Sequence, residues 1–204
     1  RVVRGLLAKR QVLRAICGQF AGNTGLDVFV AWFPADRATE RDMAWLKGGF
    51  FAVLPFLAAA GGVLFGGGLA DKLLKATGSA NLARKLPIVV GLMMASSIIS
   101  ANWLPSDLAV ILMMSFAFFG QGMVGLGWTL ISDIAPQGMG GITAGIFNFC
   151  TNLAGILPPL IIGFIVAASG SFFYALVYIG GAALLGVVAY LFILGDVKRI
   201  ELSQ

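Results

Sequence analysis

Six long runs of apolar residues with few or no charged residues divide this chain. A helix that crosses a bilayer needs about 20 apolar residues, so each run is long enough to be a membrane span. We place the spans at 12–34, 46–70, 86–104, 108–134, 142–166 and 173–195. Hydrophobic residues make up 59% of the 204 residues and charged residues 11%, which excludes a soluble globular protein, a nucleic-acid-binding module and a disordered chain. The pattern predicts an all-α integral membrane protein with six transmembrane helices.

Basic residues are unevenly distributed over the segments that connect these spans. Of the 14 Lys and Arg residues, 11 fall within residues 1–14, 71–85 and 196–204, on one side of the predicted bundle, and 3 fall on the other side. Cytoplasmic loops of membrane proteins carry such an excess of positive charge. We therefore expect a multi-pass protein with both termini and the 71–85 loop in the cytoplasm, and with residues 35–45 outside.

Several classes of function are excluded by residues that the chain lacks. It contains no histidine, which removes histidine-dependent nucleophilic catalysis and histidine metal sites. Cys17 and Cys150 lie in apolar runs, where we expect small buried side chains rather than metal ligands. We expect no enzyme, no cofactor and no metal. Because the chain begins at Arg1 rather than Met, we also expect a fragment or a processed piece.

The first three spans show a weak similarity to the last three. Gln19 and Gln121 each precede a proline by 15 residues, and two glycine pairs share a spacing of 18 residues in the same way. Two units of three spans necessarily face opposite ways in the membrane. The repeat therefore predicts an inverted 3+3 arrangement, as in one half of a secondary transporter.

Amide and indole side chains at membrane depth are candidates for function, because polar groups there cost free energy. Helical spacing places them on single stripes of spans one, four and five. Amides donate and accept hydrogen bonds without adding charge, so we predict that the stripes line one cavity for a polyhydroxylated solute. The candidate substrate-binding residues are Gln19, Asn23, Gln121, Trp128, Asn148 and Asn152. The alternative is that these side chains join helices by interhelical hydrogen bonds.

Three carboxylates are candidates for gating or proton transfer: Asp27, Asp71 and Asp133. Asp27 lies near the middle of span one, on the stripe of the span-one amides. A dry site would favour its protonated form and allow it to exchange a proton, whereas a wet site would keep it charged as an outer-gate contact with Arg37. A third possibility is that the span is displaced and Asp27 lies at the membrane surface.

Glycines and prolines inside the spans predict where helices approach closely or break. Residues 120–125 match G-x-G-x-x-G, but they lie within an apolar span rather than after a strand, so the pattern predicts close helix packing rather than dinucleotide binding. We expect Pro55 and Pro158 to break their helices at depth and bend them around a cavity.

Several motifs resemble those of the major facilitator superfamily. Residues 67–72 (GGLADK) fit G-x-x-x-D-[RK], the cytoplasmic-loop motif between the second and third spans of each half. Further matches are 83–88 (ARKLPI), 115–120 (SFAFFG), 127–128 (GW), 132–136 (SDIAP), 145–149 (GIFNF), 152–155 (NLAG) and 195–199 (GDVKR). Together they resemble the C-terminal half of the anion:cation symporter branch, specifically bacterial transporters of D-galactonate, glucarate and galactarate.

The resemblance implies that residues 1–204 form one six-helix half of a major facilitator fold in a bacterial inner membrane, without its N-terminal half. It implies proton-coupled uptake of a hexonate or hexarate by alternating access, together with that half or a second copy. Gln19, Trp128 and Asn148 would bind the hydroxyl groups of the sugar acid. The arginine for the carboxylate and the proton-carrying acids would belong to the absent half.

Two features of span one depart from the family pattern. Asp27 stands where an aromatic residue is usual, and Ala-Asp-Arg at 35–37 replaces the usual residues after the proline. These departures leave the substrate open. The alternatives are a transporter of another organic anion and a non-transporting membrane assembly or sensor subunit.

Overall fold

A computed structural model describes residues 6–7, 9–24, 45–171 and 173–200 of the chain, and all of its regular elements are helical. The helices are α1 (10–24), α2 (Trp45–Thr77), α3 (Ala80–Ser96), α4 (Asp107–Val124), α5 (Gly127–Ile134), α6 (Gly140–Asn152), α7 (Leu157–Ser169) and α8 (Phe173–Val188). Short irregular helices extend or join these elements: 3₁₀ turns at Ser97–Trp103 and Leu153–Gly155, and a π-helical turn at Ala189–Ile193.

Among the described residues, five helical stretches are long and apolar enough to cross a bilayer, and they correspond to predicted spans two to six. Their bounds are Val53–Thr77, Ala80–Trp103, Leu108–Ile134, Gly140–Ser169 and Phe173–Ile193. Predicted span one begins in α1 and continues into residues 25–34, which lie outside the described residues. Span one, and with it the total of six spans, therefore stays a prediction, as does the inverted repeat.

The charged connector predicted at 71–85 is largely helical, so its prediction as a loop is wrong. α2 ends and α3 begins within it, separated by Gly78 and Ser79. Gly78 has a φ of 66°, a left-handed conformation that favours glycine, and the Ser79 side chain caps α3 by accepting from the Leu82 N–H. Lys and Arg are good helix formers with long side chains, so their charges do not end a helix.

The two predicted helix breaks have different outcomes. Pro55 lies inside α2, which continues through it, so the break predicted there is wrong. Span five is interrupted by the 3₁₀ turn at Leu153–Gly155, immediately before Pro158, which confirms the second break. Pro158 lies in the first turn of α7, where its missing N–H removes no helical hydrogen bond.

Helix α4 is the centre of the bundle, and it packs on α2 and α3 through glycines. A Cβ atom added to Gly122 would overlap the carbonyl oxygen of Ala59 in α2, and one added to Gly120 would overlap the carbonyl oxygen of Gly91 in α3. Backbones can approach this closely only where side chains are absent. The close packing predicted for 120–125 is confirmed.

Three segments that the charge pattern assigned to one side of the membrane meet at one end of the bundle, together with the end of α5. The Gln11 side chain donates a hydrogen bond to the Asp196 carbonyl oxygen at 2.8 Å, and the Asn81 side chain donates to the Asp196 carboxylate at 3.2 Å. The Ile200 N–H donates to the Ile134 carbonyl oxygen at 3.0 Å. The start of α1, the 71–85 segment, the end of α5 and the tail (residues 196–200) therefore share one end of the bundle.

The two cysteines are not both buried. Cys17 is exposed on α1, and Cys150 is partly exposed. The prediction of two buried side chains is wrong for Cys17. In a membrane helix an apolar run can face lipid as well as protein, because hydrocarbon is an apolar surrounding in either case.

Candidate functional site

A hydrogen-bonded series of three side chains joins spans one and six. The Tyr190 hydroxyl donates to Gln19 Oε1 at 2.8 Å, and Gln19 Nε2 donates to Asn23 Oδ1 at 2.9 Å. Gln19 and Tyr190 are 2% and 1% exposed, whereas Asn23 is partly exposed. Two of the six candidate substrate-binding residues therefore contact each other, and one of them lies deep in the bundle.

Glycines on both sides of this series make room for it. A Cβ atom on Gly18 would lie 2.9 Å from the Tyr190 ring, and one on Gly127 would overlap Gln19 Oε1. Gly127 begins α5 and directly precedes Trp128. The Gln19 amide thus lies against the start of the helix that carries Trp128.

Gln121 contacts a backbone carbonyl group of span one. Its side chain is 9% exposed, and its Nε2 donates to the Gly22 carbonyl oxygen at 2.7 Å. This hydrogen bond joins α4 to α1, the alternative that the sequence left open for such amides. A role for Gln121 in substrate binding stays a prediction.

Trp128, Asn148 and Asn152 are the most exposed of the candidate substrate-binding residues. The Trp128 ring is 40% exposed and packs edge-to-face on Phe147, with 5.3 Å between centroids and 82° between planes. Asn152 Nδ2 donates to the Asn148 backbone carbonyl oxygen at 2.9 Å and to the Asn148 side-chain oxygen. The pairing leaves the Asn148 amide nitrogen as a donor and the Asn152 amide oxygen as an acceptor.

The paired asparagines line an open groove along α6. Its volume is about 440 Å³, and its other lining residues are Gly145, Phe149, Leu153 and Ile156. The surface is mostly apolar, with the two amides as its polar groups. Such a mixture is typical of small-molecule sites, where a few polar groups orient the ligand.

The three candidate carboxylates fall in different places. Asp133 forms an ion pair with Arg84, with Oδ2 2.8 Å from Nε, and their side chains are 35% and 13% exposed. The pair joins α5 to α3 at the end of the bundle where the tail packs. Asp71 is exposed on α2, and Asp27 lies outside the described residues. Their roles in gating or proton transfer stay predictions.

Tyr190 and Arg84 take part in the polar contacts of the bundle, but the sequence alone did not single them out as site residues. The sequence does indicate that both residues need hydrogen-bond partners, since one is a phenol and the other a guanidinium in or beside an apolar span. It does not indicate which residues those partners are. Tyr190 reaches Gln19 across 171 residues of sequence, from within a π-helical turn that no period predicts.

The family model for the Major Facilitator Superfamily matches residues 2–159. The chain is 43% identical, over 99% of its length, to the probable galactarate/D-glucarate transporter GarP of Escherichia coli strain K12, of which it covers 46%. It is 40% identical over 96% of its length to a D-galactonate transporter of another Escherichia coli strain, covering 45% of it. It is 39% identical over 99% of its length to the probable galactarate/D-glucarate transporter GudP of Bacillus subtilis, covering 44% of it.

These relatives are named as transporters rather than as enzymes. The chain spans about half the length of the curated relatives that it matches.

Proposed function

This chain belongs to the Major Facilitator Superfamily, and we propose that it forms the C-terminal half of a bacterial inner-membrane transporter that takes up sugar acids. The observation that carries the proposal is the exposed Asn148–Asn152 pair, which offers a donor and an acceptor in an open groove. The exposed Trp128 packs on Phe147, the residue that precedes Asn148. The relatives named as a probable galactarate/D-glucarate transporter and a D-galactonate transporter support the substrate class.

The side chains on the described part of the site suit the hydroxyl groups of a sugar acid. The Asn148 amide nitrogen would donate to a hydroxyl oxygen, and the Asn152 amide oxygen would accept a hydroxyl proton. Trp128 offers a rigid apolar face to the carbon backbone of the sugar and an indole N–H at its edge. These groups are neutral, so the carboxylate of the substrate would be bound by charged residues of the second half.

Transport would proceed by alternating access, with two six-helix halves rocking around a central site, coupled to proton uptake. The Arg84–Asp133 pair would form and separate during this cycle, because it joins two helices at one end of the bundle. Asp27 would act in this cycle either as an outer-gate contact or as a group that exchanges a proton. The second half is either the segment that corresponds to the rest of the relatives' length or a second copy of this chain.

A chimera tests this proposal. The segment of GarP that aligns with this chain is replaced by the chain, and uptake of labelled galactarate, D-glucarate and D-galactonate is measured in cells that lack their own carriers. We expect saturable uptake of at least one of these acids, abolished by dissipating the proton gradient. Uptake of a different organic anion would contradict the substrate class, and no uptake by a correctly inserted chimera would contradict the proposal as a whole.

A further inference from the structure

We propose that the Gly195 end of span six binds an anionic phospholipid of the cytoplasmic leaflet, with Arg14 and Lys85 at its phosphate and an acyl chain along the exposed face of the span. The site lies at the end of the bundle where the tail packs, which the charge pattern assigns to the cytoplasm. Its residues are not among the candidate substrate-binding residues, and lipid binding there does not depend on transport of a sugar acid.

Two neighbouring helices bring cationic side chains to Gly195. The Lys85 ammonium group, from α3, donates a hydrogen bond to the Gly195 carbonyl oxygen. A Cβ atom added to Gly195 would lie 3.6 Å from Arg14 Nη1, which comes from α1. The apolar stretch of span six ends at Ile193, so both cations lie where this span leaves the hydrocarbon. This is the depth at which lipid phosphates are found.

The charged side chains around Gly195 have a positive surplus. The Asp196 carboxylate accepts a hydrogen bond from Asn81 at 3.2 Å and lies 3.7 Å from Lys198 Nζ. Lys198 offsets the charge of this carboxylate, which leaves Arg14 and Lys85 in excess. A guanidinium beside an ammonium group is a suitable partner for the single negative charge of a phosphodiester.

The face of span six that leads to these cations is apolar and exposed. Leu185, Val188 and Phe192 follow one another at helical spacing and are 68%, 47% and 79% exposed. The other side of the span is packed, because a Cβ atom on Gly186 would lie 3.1 Å from Leu92 of α3 and 3.6 Å from α1. Span six therefore lies against α1 and α3 and presents an apolar strip outward.

A phospholipid with a net negative charge matches both features at once. Its acyl chain fits the apolar strip, and its phosphate then reaches the cation pair at the end of that strip. Basic sites between transmembrane helices on the cytoplasmic side bind anionic headgroups in this way. A second helical bundle is expected on a different surface, along the grooves of α6 and α7.

Lipid titration of the purified chain, followed by native mass spectrometry, tests the inference. Phosphatidylglycerol and phosphatidylcholine with identical acyl chains are compared through the Kd of the first bound lipid. We expect phosphatidylglycerol to bind at least tenfold more tightly. Arg14→Gln combined with Lys85→Gln should weaken phosphatidylglycerol binding roughly 10- to 30-fold, the loss expected for two basic side chains at an anionic lipid, and leave phosphatidylcholine binding within about twofold.

The matched control removes two other lysines at the same end of the bundle. Lys72 and Lys75 are exposed on the last turns of α2, so Lys72→Gln with Lys75→Gln changes the net charge equally. This variant should change the Kd for phosphatidylglycerol less than about threefold. An equal loss in both double variants would overturn the inference, because it would show a general effect of charge. Equal affinity of the parent chain for the two lipids would overturn it as well.

Two further arms test the acyl chain. Phe192→Ala should weaken both lipids by a similar factor of about three, whereas Phe116→Ala, at an exposed phenylalanine of α4, should change neither. Glycerophosphoglycerol, the headgroup without acyl chains, should not displace the lipid at hundredfold excess, and displacement would overturn the assignment to a phospholipid. Should the Arg14 and Lys85 double variant fail to fold, Arg14→Gln alone is compared with Lys72→Gln, with a loss of about fivefold expected for Arg14→Gln only.

Discussion

In the described part of the chain, Trp128 and Trp103 each pack edge-to-face on a phenylalanine and are well exposed, but they differ in what surrounds them. Trp128 lies 5.3 Å from Phe147 between centroids, and Phe147 directly precedes Asn148 of the asparagine pair. Trp103 lies 5.9 Å from Phe173, at the end of the 3₁₀ turn that follows α3. The geometry of the stacking is similar, so a comparison of the two separates ligand contact from stacking itself.

We predict that Trp128→Ala and Asn148→Ala each weaken the apparent affinity of the chimera for its sugar acid about 5- to 150-fold, because each removes a polar partner of the substrate. Trp103→Ala loses the same kind of stacking and should change KM by less than about twofold. Uptake kinetics with expression-matched vesicles provide the measurement. Equal effects at positions 128 and 103 would assign Trp128 to packing alone.

The Arg84–Asp133 pair makes a residue-scale prediction about stability. Arg84 is the less exposed partner, so removing Asp133 leaves a largely buried guanidinium without its carboxylate. We expect Asp133→Ala to destabilise the detergent-solubilised protein by roughly 1.5–3 kcal/mol, the range for hydrogen bonds to charged groups. Thermal unfolding of the purified protein measures the change.

The exchange of both partners, Arg84→Asp with Asp133→Arg, is the matched control for this pair. It restores opposite charges at the same two positions and should recover part of the lost stability. If the exchanged protein loses as much stability as Arg84→Asp and Asp133→Arg lose when their separate losses are added, the ion pair is not the cause of the effect.

At the scale of elements, the glycine contacts of α4 explain how three helices pack at short range. Gly122 faces the backbone of α2, and the atoms that a Cβ would meet are the Ala59 carbonyl oxygen and the Val63 nitrogen. A backbone cannot move aside as a flexible side chain can. The distance between α2 and α4 is therefore set by the absence of a side chain at this position.

We predict that Gly122→Ala destabilises the protein by about 1–3 kcal/mol through overpacking. Gly181→Ala is the control, since a Cβ atom there meets nothing within 4 Å and the residue also lies inside a helix. Both variants gain the same helix propensity, so the difference between their thermal unfolding measures the effect of the steric overlap at position 122. A Gly122→Ala protein as stable as the Gly181→Ala protein would contradict this packing.

Much of the architecture could be predicted from the sequence, whereas the contacts of the candidate site could not. Apolar length determines where a span falls, and closely spaced glycines indicate close helix packing, so spans two to six and the packing of 120–125 were predictable. Helical spacing also placed Gln19 and Gln121 on inward stripes. Whether an inward amide meets a ligand, a phenol or a carbonyl group depends on residues far away in sequence, such as Tyr190 and Gly22.

At the scale of the whole molecule, the start of α1, the 71–85 segment and the tail meet at one end. In the sequence, residues 1–14, 71–85 and 196–204 contain 11 of the 14 basic residues. We predict that this end faces the cytoplasm. Single cysteines test it in a protein whose Cys17 and Cys150 are replaced by serine. In intact cells, an impermeant maleimide should label Pro105→Cys, in the exposed connector after span three, and should leave exposed Ala76→Cys unlabelled until the membrane is opened. The reverse pattern would invert the topology.

The burial of the spans predicts that this chain does not work alone. In the described residues, 22% of the apolar window of span two and 18% of that of span five are buried, against 56% for span four. Grooves of about 440 and 520 Å³ run along the exposed face of α6 and α7. Such faces are free to meet lipid or a second helical bundle. Because the relatives are about twice as long, we expect the second bundle to be their remaining half.

We predict that the purified chain alone gives no proton-driven sugar-acid uptake in liposomes, because transporter sites lie between two halves and a single half supplies one wall. Co-reconstitution with the remaining half of GarP, as a separate polypeptide, should restore uptake. The matched control is that same half without this chain, which should be inactive. Robust uptake by this chain alone would contradict the prediction, and cross-linking would then show whether two copies replace the second half.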